Sequence, residues 1–296
     1  MRPRNRRLLP ALLLGLGLGL ALAWTPGATP TRPALAQGVG LEALGSADAP
    51  IEINAENGIE WHRDQKAYFA RGNASAKRGE VTVFGDTLTA HYRELASGDT
   101  EIWRLEADGN VRITSPDETA YGDHAIYDVD TSVLVLTGDG LKLVSADSVV
   151  TAEDSLEYWQ ARQMAVARGD GTAVRDGRTL SAEVLVSFFR KTEAGETVLE
   201  RIEAFDNVVV NTDQDRAAGN RGVYDTASGV AHLYGDVVLT RGKSRLSGEY
   251  GTIDLDSGVS RLLPAPDQAG GNRVTGVIVP PPRKAPDAAP AAEAAE

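Results

Sequence analysis

No cysteine occurs in the 296 residues, which excludes disulfide staples, thiolate metal ligands and cysteine nucleophiles. Histidine is scarce: His62, His91, His124 and His232 are the whole set. They fall at unrelated spacings, with neither a His-x-x-x-His pair nor carboxylates grouped as ligands, so they read as strand-face or rim residues and no metal site is expected. Positive charge is short as well. Thirty Lys and Arg against 42 Asp and Glu leave a net charge of −12, which argues against nucleic-acid binding through a basic surface. Enzyme signatures are missing too. There is no Gly-x-Ser-x-Gly elbow. Gly242-Lys243-Ser244 lacks the glycine of a phosphate loop, having Val237 in its place. Asp254-x-Asp256-x-Gly258 imitates half a calcium loop but has Ala265 where the bidentate Glu belongs. Asp128-x-Asp130 and Asp213-x-Asp215 read as hairpin turns. No enzyme is expected, and no cofactor.

Long hydrophobic runs are absent beyond the first residues. Arg2, Arg4, Arg6 and Arg7 precede an apolar run from Ala11 to Ala23, and Ala34-Leu35-Ala36 stands before Gln37. A basic start, a short apolar stretch and an A-x-A site predict a cleavable signal peptide over 1–36, cut between Ala36 and Gln37, with Ala21-Leu22-Ala23 as the alternative site. A membrane span needs roughly 20 apolar residues, and Pro10 and Pro26 bracket this run too tightly. Cleavage would remove five Arg and no acid, leaving 25 basic and 42 acidic residues and a net charge of −17. An exported soluble chain follows, with a linker over 37–50.

From Ile51 to Val279 the hydrophobic pattern has period two. Leu105, Ala107, Gly109, Val111 and Ile113 alternate with Arg104, Glu106, Asp108, Asn110 and Arg112, which on a strand puts the apolar set on one face. Ser97-Gly98-Asp99, Ser115-Pro116-Asp117, Asp176-Gly177 and Ser228-Gly229 punctuate the chain as turns. The fold class read is all-β. A helix over Ser155–Ala165, rich in helix formers, is the competing reading, but Gln160 and Gln163 interrupt its apolar stripe.

The repeat is sharper than the propensities. Gly-Asx pairs stand at Gly72-Asn73, Gly109-Asn110, Gly138-Asp139, Gly169-Asp170 and Gly235-Asp236, with a degenerate copy at Asp206-Asn207. The spacings of 37, 29, 31, 37 and 29 repeat every 97 residues. Laid at that offset, Arg104–Asp139 matches Arg201–Asp236 at 13 of 36 positions, which marks internal duplication. A second element recurs between the pairs, at Gly85-Asp86, Gly122-Asp123 and Gly219-Asn220, with Ala152-Glu153 and Ala182-Glu183 as weaker copies. Each strand-turn-strand unit is too small to bury its own apolar face, so neighbours stack and share a core.

Three segments carry a resemblance. Ile51-Glu52-Ile53-Asn54-Ala55-Glu56 followed by Ala70-Arg71-Gly72-Asn73-Ala74, the unit Gly122-Asp123-His124-Ala125-Ile126-Tyr127, and the closing Arg273-Val274-Thr275-Gly276-Val277-Ile278-Val279-Pro280 resemble the OstA-like (LptA) family of periplasmic lipopolysaccharide bridge proteins. The likeness spans about residues 50–280. The resemblance implies an elongated, open, twisted β-jellyroll, V-shaped with two sheets and an apolar inside that holds the acyl chains of lipid A. The inward face would then comprise Ile53, Val81, Val83, Leu105, Val111, Ile113, Leu136, Ile202, Val208, Val210, Leu233, Val237 and Leu239. A period-two face fits a closed sandwich core equally well; the resemblance favours a groove. Lys66, Arg71, Lys77 and Arg78 are candidate rim cations for phosphate, or solvated strand-face charges.

The ends are the other informative places. Ile51 and Ile53 at the start, and Val274, Val277 and Val279 before Pro280-Pro281-Pro282, form β-prone edges suited to strand addition. The resemblance implies an LptC-like inner-membrane protein at the N-terminal edge, an LptD-like outer-membrane protein at the C-terminal edge, and head-to-tail copies of the chain. The Pro/Ala-rich tail 281–296 reads as disordered. An exported β-solenoid or adhesin-like scaffold with a closed core, binding protein or glycan, is the alternative function.

Overall fold

Side chains that alternate between oil and water dictate strands, and the computed structural model describes residues 51–255, 257–264 and 273–279. The expected signal peptide with its Ala36/Gln37 junction, the linker 37–50 and the tail 281–296 lie outside the described residues. Eighteen strands form one sheet. The first copy holds β1 (Glu52–Asn54), β2 (Ile59–His62), β3 (Ala67–Arg78), β4 (Val81–Glu94), β5 (Thr100–Thr114), β6 (Glu118–Asp128), β7 (Val133–Thr137) and β8 (Lys142–Ser145). The second holds β9 (Ser148–Thr151), β10 (Ser155–Trp159), β11 (Met164–Arg175), β12 (Arg178–Lys191), β13 (Thr197–Asn211), β14 (Asp215–Asp225) and β15 (Val230–Arg241). Then come β16 (Ser244–Asp254), β17 (Ser260–Leu263) and β18 (Thr275–Val277).

Each strand pairs antiparallel with the next across a hairpin from β3 to β6 and from β11 to β16. The copies are joined by hydrogen bonds as well as by the chain: β7 and β8 pair with β10 and β9, and both of the latter pair with β11. Adding 97 to a residue number carries β1 onto β9, β3 onto β11, β4 onto β12 and β5 onto β13. This is an elongated, open, twisted antiparallel β-jellyroll of duplicated strand-turn-strand units. Where a helix competed, β10 runs to Trp159, a single 3-10 turn covers Gln160–Arg162, and β11 starts at Met164. Pairing of β10 with β7 overrides the local helix propensity.

The Gly-Asx pairs make the corner. Gly109 and Asn110 have φ of 75° and 49°, and Asp206 and Asn207 have 60° and 52°. Two adjacent left-handed residues insert a bulge, seen as register shifts between Asp108 and Val111 and between Phe205 and Val208. The bulge bends each long strand into two arms. Gly is used because a side chain there would strike the stacked Asx of the neighbouring strand: a Cβ on Gly169 would lie 2.7 Å from Asp154. The degenerate copy survives because Asp and Asn tolerate the left-handed region. Asn110 donates to Asp86 at 3.0 Å and Asn207 to Glu183 at 3.0 Å, so polar side chains stitch the outside of the corner.

The inside is apolar on both arms. Val81, Val111, Ile113, Leu136, Leu141, Val208, Leu233 and Val237 are all 2% exposed or less. They belong to one continuous cluster with Ala107, Ala125, Ala167, Ala182 and Ala204. These small residues let the arms approach closely. A Cβ added to Gly122 would lie 2.8 Å from the Leu136 side chain.

Candidate functional site: an apolar cavity between the arms

The first strands of the chain are short, β1 with three residues and β2 with four, and beneath them the arms stay apart. The gap is an apolar cavity of about 840 Å³, including the open space at its mouth. One arm supplies Ile59, Tyr68, Leu88, Ile102, Leu105 and Leu134; the other supplies Ile51, Ile53, Ala76, Val83 and Ile113. Side-chain charge enters the lining only through Arg78 and Glu106. Glu106 is occupied by Arg104 at 2.6 Å and lies 3.5 Å from His91. Tyr127 donates its hydroxyl to Gln160 at 3.3 Å, and burial pushes its pKa up. The walls can therefore take an alkyl chain but no charged group of any size.

The thirteen residues expected on the inward face divide by position. Ile53, Val83, Leu105 and Ile113 line this cavity. Val210 and Leu239 line a second one, of about 1600 Å³ with the open space at its mouth, at the far end of the duplicated body. Val81, Val111, Leu136, Val208, Leu233 and Val237 are packed into the interior, and Ile202 is half-buried on β13. Of the rim cations, Arg78 reaches the cavity. Lys66 approaches Glu94 at 3.8 Å, Arg71 stacks on Phe69 and approaches Glu60 at 3.8 Å, and Lys77 is exposed on β3.

Sequence reasoning missed Ile59, Ile102 and Leu134 as cavity walls, although the same period-two parity marks them. It also missed Glu118, a carboxyl buried at the start of β6 whose pKa burial pushes up to about 8, with Asp117 and Asp147 adding like charge. Other carboxyls move the opposite way. Hydrogen bonds from Thr131 hold Asp128 down, those from Ser228 hold Asp225 down, and Arg241 does the same for Asp215. Each histidine has a polar neighbour: Glu60, Glu106, Asp108 and the Tyr250 hydroxyl respectively. Among the described residues no group of three or more His, Asp or Glu could hold a metal, and no helix is long and apolar enough to cross a membrane.

Both ends present strand edges. Among the described residues, β1 and β2 pair only with β3, and β17 and β18 pair only with β16. Val277 is 62% exposed and Ile278 77%. Val274, Val279 and Ile53 are exposed as well.

Comparison with known proteins supplies the context for this geometry. The family model described as LptA/(LptD N-terminal domain) LPS transport protein matches residues 52–155 and again residues 150–259. The two matches meet where β9 and β10 begin the second copy. An uncharacterized protein of Rhizobium meliloti is 27% identical over 147 residues, 47% of this chain and 78% of that protein. Among solved structures, LptH, the LptA homologous periplasmic component of the conserved lipopolysaccharide transport device from Pseudomonas aeruginosa, is 18% identical. It superposes with a TM-score of 0.38, covering 45% of this chain and 95% of that one.

Proposed function

The chain belongs to the LptA/(LptD N-terminal domain) LPS transport protein family, and from that premise we propose that it works in the periplasm, sheltering the acyl chains of lipopolysaccharide between its arms. The observation that carries this reading is the cavity lined by Leu105, Val83, Ile102 and Ile53 with only two charged residues. Each methylene buried there gains roughly 0.8 kcal/mol before the costs of binding. Affinity must come from that burial, because 42 acidic residues against 30 basic ones give an anionic lipid no long-range attraction.

Leu105 and Val83 are only partly buried, so a charge there can be placed without emptying the core. Leu105→Asp is expected to leave the circular dichroism of the folded protein unchanged and to weaken saturable binding of lipid A by at least about tenfold. A folded wild-type protein that shows no saturable uptake of lipid A would hand the function to the closed-core scaffold reading.

Transport along a bridge needs neighbours, and the open edges supply main-chain donors and acceptors for them. In this reading the β1 and β2 edge meets an LptC-like inner-membrane protein, the β18 edge meets an LptD-like outer-membrane protein, and copies of the chain join head to tail between them. Deleting residues 273–279 is expected to leave β3 to β16 folded and to convert end-to-end assemblies into monomers by light scattering. Unchanged assemblies would remove the edge strand from the account.

A further inference from the structure

The two outer faces of the body treat charge in opposite ways. Outside the arm that carries Leu105, acids are met by arginines. Arg71 approaches Glu60 at 3.8 Å, Arg168 holds Glu157 at 2.6 Å and Arg201 holds Glu203 at 2.9 Å. The arm that carries Val83 and Ile113 does otherwise. Two rows of register partners cross its outside, one from Thr82 on β4 to Arg245 on β16, the other from Phe84 to Ser247. Neither row holds an Asp or a Glu. They hold Arg112, Lys142, Arg216 and Arg245, and none of these forms an ion pair among the described residues. At the β1 border Lys77 stands in register with Glu52, where the acid-free stretch ends.

The densest part is a run of four partners. Phe84, Arg112, Tyr121 and Lys142 alternate ring and cation across β4, β5, β6 and β8. Arg112 lies 3.9 Å from the centre of the Phe84 ring, and Lys142 5.4 Å from that of Tyr121. Stacking positions these cations without neutralising them. Adding 97 turns Phe84, Arg112 and Tyr121 into Ser181, Val209 and Ala218, so the fold does not require the set. Thr82, Thr114, Thr119, Thr151 and Thr172 supply hydroxyls around it.

We infer that this outer face docks a linear, carboxylate-bearing polysaccharide, the glycan strand of the cell wall, laid across the β-strands. The charges are complementary, and the shape of the stripe selects among anions. It is two rows deep, about 7 Å between rows, and runs roughly 40 Å from Arg112 to Arg245 at ~4.8 Å per strand. Acids bound it on both long sides: Asp86, Asp123 and Glu183 near the corner, Asp117, Asp147 and Asp176 in the turns. An anionic bilayer would lie against those acids as well as the cations, whereas a single polyanionic chain meets the cations alone. An acidic protein segment would want pockets for apolar anchors, and threonines stand along this face instead. Sugar hydroxyls suit threonine hydroxyls, which both donate and accept, and a guanidinium takes a carboxylate through two parallel hydrogen bonds. The inference rests on the proposed periplasmic location for the source of the strand and is independent of the acyl-chain reading.

The test uses the full chain, with polygalacturonate, neutral dextran, isolated peptidoglycan sacculi and phosphatidylglycerol vesicles as probes. Binding of polygalacturonate and co-sedimentation with sacculi are expected, each weakened several-fold between about 50 and 200 mM salt, with dextran unbound. Arg112→Gln and Lys142→Gln should each lower both affinities about threefold, and together at least about tenfold. Arg112→Lys should keep most of the binding. Arg93→Gln removes the same charge from the other arm, where Arg93 is paired with Glu101 and Asp130, and should change neither affinity. Circular dichroism checks the fold of each variant. Lipid A binding should be equal in all of them, so failure of this face and failure of the proposed function are read separately. Equal losses with Arg93→Gln, or uptake of dextran, would overturn the inference. Vesicles bound as tightly as sacculi, and released by the same two substitutions, would make the stripe a bilayer-docking face and overturn the glycan. Polygalacturonate bound while sacculi are ignored would overturn the wall strand as the occupant.

Discussion

Leu136→Ala is expected to lower the unfolding free energy by about 2–5 kcal/mol, the range for a fully buried leucine whose loss leaves a cavity. Leu136 is 1% exposed and lies against Gly122, which has no room for a side chain of its own. Its repeat mate Leu233 is also 1% exposed, and Leu233→Ala should cost a similar amount. Leu105 borders open space, so Leu105→Ala should cost about half as much or less, because fewer contacts are lost and no sealed void is created. Equal losses at the three positions would mean an interior of uniform closure and would remove the contrast between centre and ends. Repeat architectures unfold in segments, so urea midpoints need support from amide exchange measured strand by strand. The amides of β7, β14 and β15 should lose protection first in the two central variants.

That contrast has a functional side. A body sealed in the middle is a stiff spacer: the pairing of β7 and β8 with β10 and β9 joins the copies by main-chain hydrogen bonds, and the apolar cluster runs through the junction. The open places then fall beside the strand edges at either end. If the proposed function holds, each open place is adjacent to the edge that a neighbour would extend, so a ligand has the shortest path between chains and the longest within one.

Strand parity made much of this legible in the sequence. The alternation around Leu105 placed β5, and the 97-residue offset carried it onto β13. The Gly-Asx pairs were visible as a repeat, but their role was not, since letters do not show two consecutive left-handed residues bending β3, β5, β11, β13 and β15. Parity also says which side chains point inward and says nothing of how close the opposing arm comes. That distance depends on what stands across the gap: Ala167, Ala204 and Gly222 allow closure at the centre, whereas short end strands leave it open. Val111 and Leu105 lie on one strand and one face, yet one is 2% exposed and the other borders a cavity. The far cavity escaped notice for the same reason, its floor being built partly by β16 and by Ile278, which are remote in sequence from Val210.

Glu118→Gln is expected to make the protein more stable in mild alkali and to leave it unchanged in acid. Glu118 is 5% exposed, and its Oε2 has no hydrogen-bond partner among the described residues. Burial first, then the like charges of Asp117 and Asp147, push its pKa up to about 8 from an ordinary 4.5. Asp147 itself pairs with Arg175 at 2.5 Å. The folded protein therefore keeps this carboxyl neutral at pH 7 while the unfolded chain ionises it. Between pH 4.5 and 8 the folded state binds the extra proton, so the contribution of Glu118 to stability is greatest below the lower value and falls as pH rises, by about 1.4 kcal/mol per pH unit. Over the window the loss is on the order of 5 kcal/mol. Glutamine keeps the shape and has nothing to ionise, so the difference between variant and wild type should grow from near zero at pH 4.5 to that size by pH 8–9, read as urea midpoints across pH. The repeat-equivalent residue, Asp215, supplies the opposite sign. Arg241 holds its carboxyl low, so its stabilisation is present above the ordinary aspartate pKa and is lost as pH falls through the lowered value. Asp215→Asn should weaken the protein at neutral pH and little in strong acid. One repeat position thus carries a carboxyl that opposes folding in alkali in the first copy and one that supports it above acid pH in the second. A flat pH profile for wild type between pH 5 and 8, or a Glu118→Gln variant that tracks it throughout, would place the Glu118 carboxylate in contact with water and remove it from the interior.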